Sequence, residues 1–158
     1  MKRTPAALLF LLPILMGSAC DQNTPSPSDD NGNAIADNSE SMSDTLVIKI
    51  GSREFTGTLL ANPTATAFRA MLPLTMNMTE LNGNEKYFDL AKSLPTNASN
   101  PGQINAGELL LYGSKTLVLF YEAFSTSYSY TRLGKVDNPS GLAEAVGSGN
   151  AVVTIQFK

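Results

Sequence analysis

ELLLYGSKTLVLFY, residues 108–121, decides the fold, because it is typical of two β-strands joined by a tight turn. The predicted strands are Glu108–Tyr112 and Lys115–Tyr121, and Gly113-Ser114 supplies the turn. Within the second strand, Leu117–Phe120 is apolar at four successive positions, so neither of its faces is suited to water. We therefore expect a central strand that is covered on both sides.

Further strand patterns lie on both sides of this stretch, separated by turn residues such as Gly51-Ser52 and Asn82-Gly83. They are predicted, in chain order, at Thr45–Ile50, Glu54–Leu60, Leu74–Met78, Lys86–Leu90, Tyr128–Val136 and Ala151–Phe157. The segment Ser93–Gln103 is rich in Pro and Asn and is predicted to be a loop.

Two short helices complete the pattern. Asn62-Pro63 combines a favourable N-cap with proline at the first helical position, and Asn138-Pro139 repeats the device. Gly147–Gly149 is expected to end the second helix. About eight strands and two short helices in one domain predict a mainly β fold, either a closed barrel or a sandwich.

The N-terminus has the features of an export signal. Lys2 and Arg3 precede the apolar run Ala6–Met16, and small residues lead to Cys20, which is the only cysteine. The run is shorter than the roughly 20 apolar residues of a membrane-spanning helix. Residues 1–19 resemble a bacterial lipoprotein signal peptide, although Gly17 stands where such signals usually have Leu. The alternative is an ordinary signal peptide that leaves a free thiol near the mature end.

In the lipoprotein interpretation Cys20 is acylated and anchors the protein to a bacterial membrane, facing the periplasm or the cell surface. Residues 20–43 hold five acidic residues and no basic one, and their polar composition predicts a disordered linker. Residues 44–158 form the predicted folded domain, with nine basic and nine acidic residues. This balance gives no basic patch for nucleic acid, so no nucleic-acid partner is expected.

The order of several segments resembles bacterial cyclophilin-like domains of uncharacterised function, over essentially all of Thr45–Lys158. The segments that carry the resemblance are Asn62–Ala65, Leu81–Tyr87, Leu111–Gly113, Leu117–Tyr121 and Phe124–Thr131. The resemblance implies a small closed cyclophilin-like β-barrel of about eight strands with two short helices over its open ends. The family name records a likeness in fold to cyclophilins, which are peptidyl-prolyl isomerases.

Cyclophilin catalysis uses an arginine beside a hydrophobic, aromatic pocket, commonly with a histidine and a tryptophan nearby. This chain has no histidine and no tryptophan. Among the domain arginines Arg53, Arg69 and Arg132, only Arg132 follows an aromatic segment, and it cannot be aligned with the catalytic arginine. We therefore assign no catalytic residue.

Other chemistries also lack their residues. Without histidine, and with Cys20 at the anchor, the chain cannot form a catalytic triad or a Cys/His zinc site. Asn82–Glu85 lacks the spacing of a calcium loop and is predicted to be a turn. We therefore predict no metal site and no cofactor.

One segment, Phe124–Arg132, has an unusual alternation. If it is extended, one face carries Phe124, Thr126, Tyr128, Tyr130 and Arg132, and the other carries small hydroxyl residues. The aromatic face can pack inward on the core of the barrel. It can instead form one wall of a ligand groove, joined by Tyr87, Tyr112 and Tyr121 if the fold brings them near.

These observations lead to three hypotheses of function. The preferred one is a membrane-anchored envelope lipoprotein whose domain binds a peptide or small ligand. The alternatives are a peptidyl-prolyl isomerase or folding helper of the cell envelope, and a structural module without a ligand.

Overall fold

Residues 45–158 are described by a computed structural model and contain ten strands and two helices. The elements are β1 (Thr45–Ile50), β2 (Arg53–Leu59), α1 (Pro63–Arg69), β3 (Leu74–Leu81), β4 (Glu85–Asp89), β5 (Gln103–Ile104), β6 (Glu108–Tyr112), β7 (Thr116–Phe120), β8 (Phe124–Ser125), β9 (Thr131–Val136), α2 (Leu142–Val146) and β10 (Ala151–Phe157). The predicted signal peptide of residues 1–19, Cys20 and the linker of residues 20–43 lie outside the described residues.

Eight of these strands close into an antiparallel barrel in the order β1-β10-β3-β4-β7-β6-β9-β2, with β2 pairing back to β1. β5 and β8 form a separate two-stranded sheet. The predicted mainly β fold with a closed barrel and two short helices is confirmed.

The barrel interior holds the main core, which alternate residues of the strands supply. On β1, for example, Leu46, Ile48 and Ile50 point inward and are buried. Helix α1 adds Ala65 and Phe68 to this core. Each Leu, Ile or Phe side chain of this core contributes about 1.5–3 kcal/mol when fully buried, so this set dominates the stabilisation of the domain.

Strand β7 is covered on both faces, as its sequence predicts. Leu117 and Leu119 belong to the barrel core, and Val118 and Phe120 belong to a second apolar cluster on the outside of the barrel. All four are at most 2% exposed. The outer cluster is the feature that positions the candidate site.

The seam between β2 and β9 needs a residue without a side chain. A Cβ atom on Gly134 would lie 2.4 Å from the carbonyl oxygen of Thr58 on the facing strand. Strand β9 also carries a bulge, because Leu109 is opposite Gly134 while Leu110 is opposite Arg132. The bulge leaves Leu133 as an extra residue, so both Leu133 and Val136 point into the core although they are three positions apart.

Lys86 is fully buried within the barrel. Its ammonium group pairs with the carboxylate of Glu80 and donates hydrogen bonds to the carbonyls of Gly147 and Gly149, at 2.7 and 2.6 Å. The Tyr121 hydroxyl donates to the same carboxylate at 2.9 Å. The cation is therefore satisfied on several sides and ties β4 to the loop that follows α2.

These contacts alter two pKa values. Burial acts to raise the pKa of Glu80, but hydrogen bonds from Lys86 and Tyr121 outweigh it and lower that pKa below its usual range. Burial and the hydrogen bond to Glu80 raise the pKa of Tyr121 to about 12. At neutral pH Glu80 is therefore a carboxylate and Tyr121 a neutral phenol.

The N-cap prediction is confirmed for the first helix. Asn62 accepts a hydrogen bond from the backbone N–H of Ala65 at 2.8 Å, and Pro63 is the first helical residue. It is wrong for the second helix, which begins after Gly141. The Asn138 side chain instead accepts from the N–H of Ser140 at 3.1 Å and so closes a tight turn before the helix.

The predicted strand Tyr128–Val136 begins only at Thr131, so its first three residues were assigned wrongly. Phe124–Arg132 is not one continuous strand, because only Phe124–Ser125 and the residues from Thr131 onward are strand. Tyr130 instead makes an isolated bridge to Ser99. Local alternation cannot distinguish an extended loop from a strand that has a partner along its whole length.

Replacement of Lys86 by methionine should lower the free energy of unfolding by about 3 kcal/mol. The substitution leaves the partly buried carboxylate of Glu80 without its cation, and the carbonyls of Gly147 and Gly149 without their hydrogen-bond donor. Urea unfolding followed by circular dichroism measures this change. Lys92→Met, at an exposed lysine, is the matched control and should change stability by less than about 0.5 kcal/mol. The double variant Lys86→Met/Glu80→Gln should regain part of the loss. Equal midpoints for Lys86→Met and Lys92→Met would contradict the stabilising role.

Candidate functional site

The candidate site lies on the outer apolar cluster of the barrel. Leu110 of β6 and Val118 and Phe120 of β7 point outward there, because successive residues of a strand face opposite sides of the sheet. Ile104 and Tyr130 pack on them from outside the barrel. The outer face of β6 and β7 therefore has its own small core.

We call the residues that pack over this outer face the cover; they are β5, β8 and residues 126–130. The ring of Phe124 lies 5.4 Å from that of Phe120, measured between centroids. Tyr130 exchanges two backbone hydrogen bonds with Ser99, both of 3.0 Å. The cover is thus fixed to the barrel by apolar contacts and to the preceding loop by the backbone.

Beside this cover is a cavity of about 310 Å³, which we call the tyrosine cavity. It is open to solvent, and two of its rings are largely exposed, Tyr112 at 48% and Tyr128 at 61%. Its lining comes from the β3–β4 turn, β4, β6, β7 and the cover: Leu81, Asn82, Glu85, Tyr87, Tyr112, Thr116, Val118, Phe124, Tyr128 and Tyr130.

Three of the tyrosine rings form an angled aromatic wall. Tyr112 and Tyr128 are edge-to-face, with their centroids 6.1 Å apart and their planes at 89°. Tyr112 and Tyr130 lie 5.6 Å apart at 53°. Such pairs stabilise one another by about 0.5–1.5 kcal/mol, so each ring favours the observed position of its neighbour.

Glu85 supplies a carboxyl group to this aromatic cavity. It is only 8% exposed, and within residues 45–158 its side chain makes neither a hydrogen bond nor an ion pair. Burial, and next the nearby carboxylate of Glu80, raise the pKa of Glu85 above its usual range. The charged form is therefore held in an unfavourable position.

Tyr130 keeps its phenolic proton at neutral pH. Burial raises its pKa, and the charge of Glu85 raises it further. A hydrogen bond with the Thr126 side chain acts to lower the pKa of Tyr130 but does not outweigh burial.

The five residues of the predicted groove do not lie together: three line the tyrosine cavity and two do not. Phe124, Tyr128 and Tyr130 line the tyrosine cavity. Thr126 does not, and its hydroxyl accepts from the backbone N–H of Tyr128 at 3.1 Å, so it shapes the cover. Arg132 lies apart from the cavity, with its guanidinium 3.6 Å from the Glu108 carboxylate.

Arg132 instead lines a second cavity, of about 420 Å³, between α1 and the loop after β4. That cavity is bordered mainly by polar residues, among them Asn62, Thr64 and Asn97. The Thr64 hydroxyl donates to the carbonyl of Pro95 at 2.8 Å, which holds the loop on the helix. The Thr64 hydroxyl is thus committed to a structural contact.

Three further tyrosines were expected to join the groove if the fold brought them near. Two of them, Tyr87 and Tyr112, line the tyrosine cavity. The third, Tyr121, instead contacts Glu80. Sequence reasoning missed Glu85, which it placed only at the end of a turn. The turn itself is present, with positive φ at Asn82 and Gly83. Glu85 shares a strand face with Tyr87, and this period-two relation is the signal that could have indicated it.

The sequence profile of the Cyclophilin-like family matches residues 48–156, which is most of the barrel domain. The chain belongs to the cyclophilin-like family. Searches of curated proteins and of solved structures return no match. Membership in the cyclophilin-like family agrees with the closed barrel and carries no activity with it, because one fold supports many functions.

Within residues 45–158, no group of three or more acidic or cysteine side chains is arranged to hold a metal ion. None of the helices in the same range has the length and apolar character needed to cross a membrane.

Glu85→Gln should make the protein more stable at pH 7 and leave its stability unchanged near pH 3. The pKa of Glu85 is higher in the folded than in the unfolded chain, so ionisation disfavours folding above that pKa, whereas below both values the acid is neutral in both states. Urea unfolding at the two pH values measures the difference. Glu122→Gln, at an exposed carboxylate, is the control and should show no such gain. A destabilised Glu85→Gln at pH 7 would contradict the interpretation.

Proposed function

We propose that this protein is a lipid-anchored binding module of the cell envelope and that its ligand occupies the tyrosine cavity. The observation that carries the proposal is a cavity of about 310 Å³ with four tyrosines in its lining, two of them largely exposed. Small-ligand sites commonly have volumes of about 300–1,000 Å³, aromatic walls and a few polar groups.

The exposed rings support binding in preference to a purely structural role. Tyr112 and Tyr128 have apolar rings in contact with water, where neither adds to the buried core. Burial of such a ring against a ligand gains apolar contact, and its hydroxyl remains free to form a hydrogen bond. The structural-module hypothesis offers no reason for this placement.

The isomerase alternative finds no support in the same cavity. None of its lining residues is an arginine. Arg132 is paired with Glu108, Arg53 donates to the carbonyl of Gly141 at 2.9 Å, and Arg69 lies over the ring of Phe157. We therefore prefer binding to catalysis, and the titration described below tests both.

The membrane anchor in this proposal rests on the sequence. Lys2 and Arg3, the run Ala6–Met16 and the small residues before Cys20 favour lipoprotein processing. Acyl chains add about 0.8 kcal/mol per buried methylene, and two or more chains give durable anchoring. The acidic linker of residues 20–43 would then keep the barrel away from the membrane surface.

Titration of the full chain, in a maltoside detergent, with a panel of small fragments and Xaa-Pro peptides should shift NMR signals of Tyr112, Tyr128 and their neighbours. Tyr128→Ala should weaken binding about ten-fold, since one exposed aromatic wall is lost. Val152→Ala is the control, because Val152 is similarly exposed, at 58%, and lies outside the cavity. Shifts centred on Arg132 with enhanced cis/trans exchange would favour the isomerase, and a panel without any shift in the cavity would contradict the proposal.

Metabolic labelling with an alkyne-bearing fatty acid in a bacterial host tests the anchor. The full chain should incorporate the label and fractionate with membranes, and Cys20→Ser should lose both properties because no other cysteine is present. Asp21→Asn changes the neighbouring residue and should keep the label. Label on Cys20→Ser, or none on the unmodified chain, would contradict acylation at this position.

A further inference from the structure

The unpaired carboxyl group of Glu85 indicates the charge of a ligand suited to the tyrosine cavity. Glu85 is more than nine-tenths buried, lines the tyrosine cavity and has no hydrogen bond or ion pair within residues 45–158. A carboxylate in a largely buried residue that has neither a hydrogen bond nor an ion pair is disfavoured relative to the same carboxylate in water. A cation in the cavity would supply the missing partner.

The part of the chain that the structure describes does not supply this cation. The lining residues of the tyrosine cavity include neither lysine nor arginine. The nearest basic residue in sequence is Lys86, whose side chain points to the opposite face of β4 and is held by Glu80, Gly147 and Gly149. The only charged residue in the lining is therefore Glu85.

The aromatic wall favours an organic cation over a simple metal ion. Aromatic faces attract ammonium groups within about 6 Å of the ring centre, and the attraction is strongest where water is excluded. Tyr112, Tyr128 and Tyr130 lie close together at different angles, so a round cationic group can contact more than one ring. A bare metal ion would need more oxygen ligands than this one carboxyl group.

We propose that the tyrosine cavity binds an alkylammonium group, with the Glu85 carboxylate as its counter-charge and the tyrosine rings as its apolar contacts. This inference rests on the proposed function and names the ligand class for the same cavity. A neutral ligand could donate a hydrogen bond to Glu85 but would leave its charge without a counter-charge. An anion would be repelled by Glu85, the charged residue of the lining.

Choline and its uncharged carbon isostere, 3,3-dimethylbutan-1-ol, test this proposal because they share a shape and differ in charge. The full chain is kept in a maltoside detergent, which has no charged head group, and sodium chloride holds the ionic strength constant. Choline should shift the NMR signals of Glu85, Tyr112 and Tyr128, with an affinity at least about ten-fold higher than that of the isostere.

Two variants separate the contribution of charge from that of shape. Glu85→Gln should lower the affinity for choline about ten-fold and leave that for the isostere unchanged, and its spectrum reports that the barrel is intact. Glu122→Gln removes an exposed carboxylate outside the cavity and should keep the affinity for choline. An unchanged affinity for choline in Glu85→Gln would overturn the role of this carboxylate.

The outcomes also separate this inference from the proposed function. If both probes bind equally, or if only neutral fragments shift the cavity signals, the ammonium class is wrong and the cavity remains a binding site. If no probe and no fragment of the panel shifts them, both proposals fail. Glycerophosphocholine distinguishes the sources of the cation, since binding as tight as that of choline supports a lipid head group and weaker binding supports a small free ammonium compound.

Discussion

The need to keep water from both faces of β7 is the constraint on which the rest of the domain depends. Leu117 and Leu119 are covered by closing the barrel, because a closed barrel has a continuous apolar interior. Val118 and Phe120 face outward and need a second cover, which Ile104, Phe124 and Tyr130 provide. The tyrosine cavity opens where this cover ends, so the site follows directly from the burial of one strand.

Strand β4 shows how one backbone serves both stability and binding. Lys86 and Glu85 are adjacent, so their side chains point to opposite faces of the sheet. Lys86 enters the barrel, where a carboxylate and two carbonyls satisfy its charge. Glu85 faces the tyrosine cavity, where no group of the described residues pairs with its charge. The contacts of Lys86 stabilise the fold, whereas the carboxyl group of Glu85 can still pair with a ligand.

Family membership and the site geometry answer different questions. The match over residues 48–156 shows a cyclophilin-like domain, and the barrel agrees with it. The position of Arg132 beside Glu108, away from the aromatic cavity, is a property of this chain. Because function resides in particular side chains and not in the fold, we base the proposed function on Glu85 and the tyrosines.

The sequence by itself determined the local features: the strands from period-two alternation, the first helix from Asn62-Pro63, and the two-sided burial of Leu117–Phe120. These signals act between near neighbours, so they can be interpreted without the fold. Only the tertiary structure decided that Tyr87 and Tyr112 meet Tyr128, that Arg132 is separated from them, and that Glu85 is buried. The physical reason is that strand pairing, the bulge at Leu133 and the bridge from Tyr130 to Ser99 join residues far apart in the chain, and no local pattern records which of them will meet.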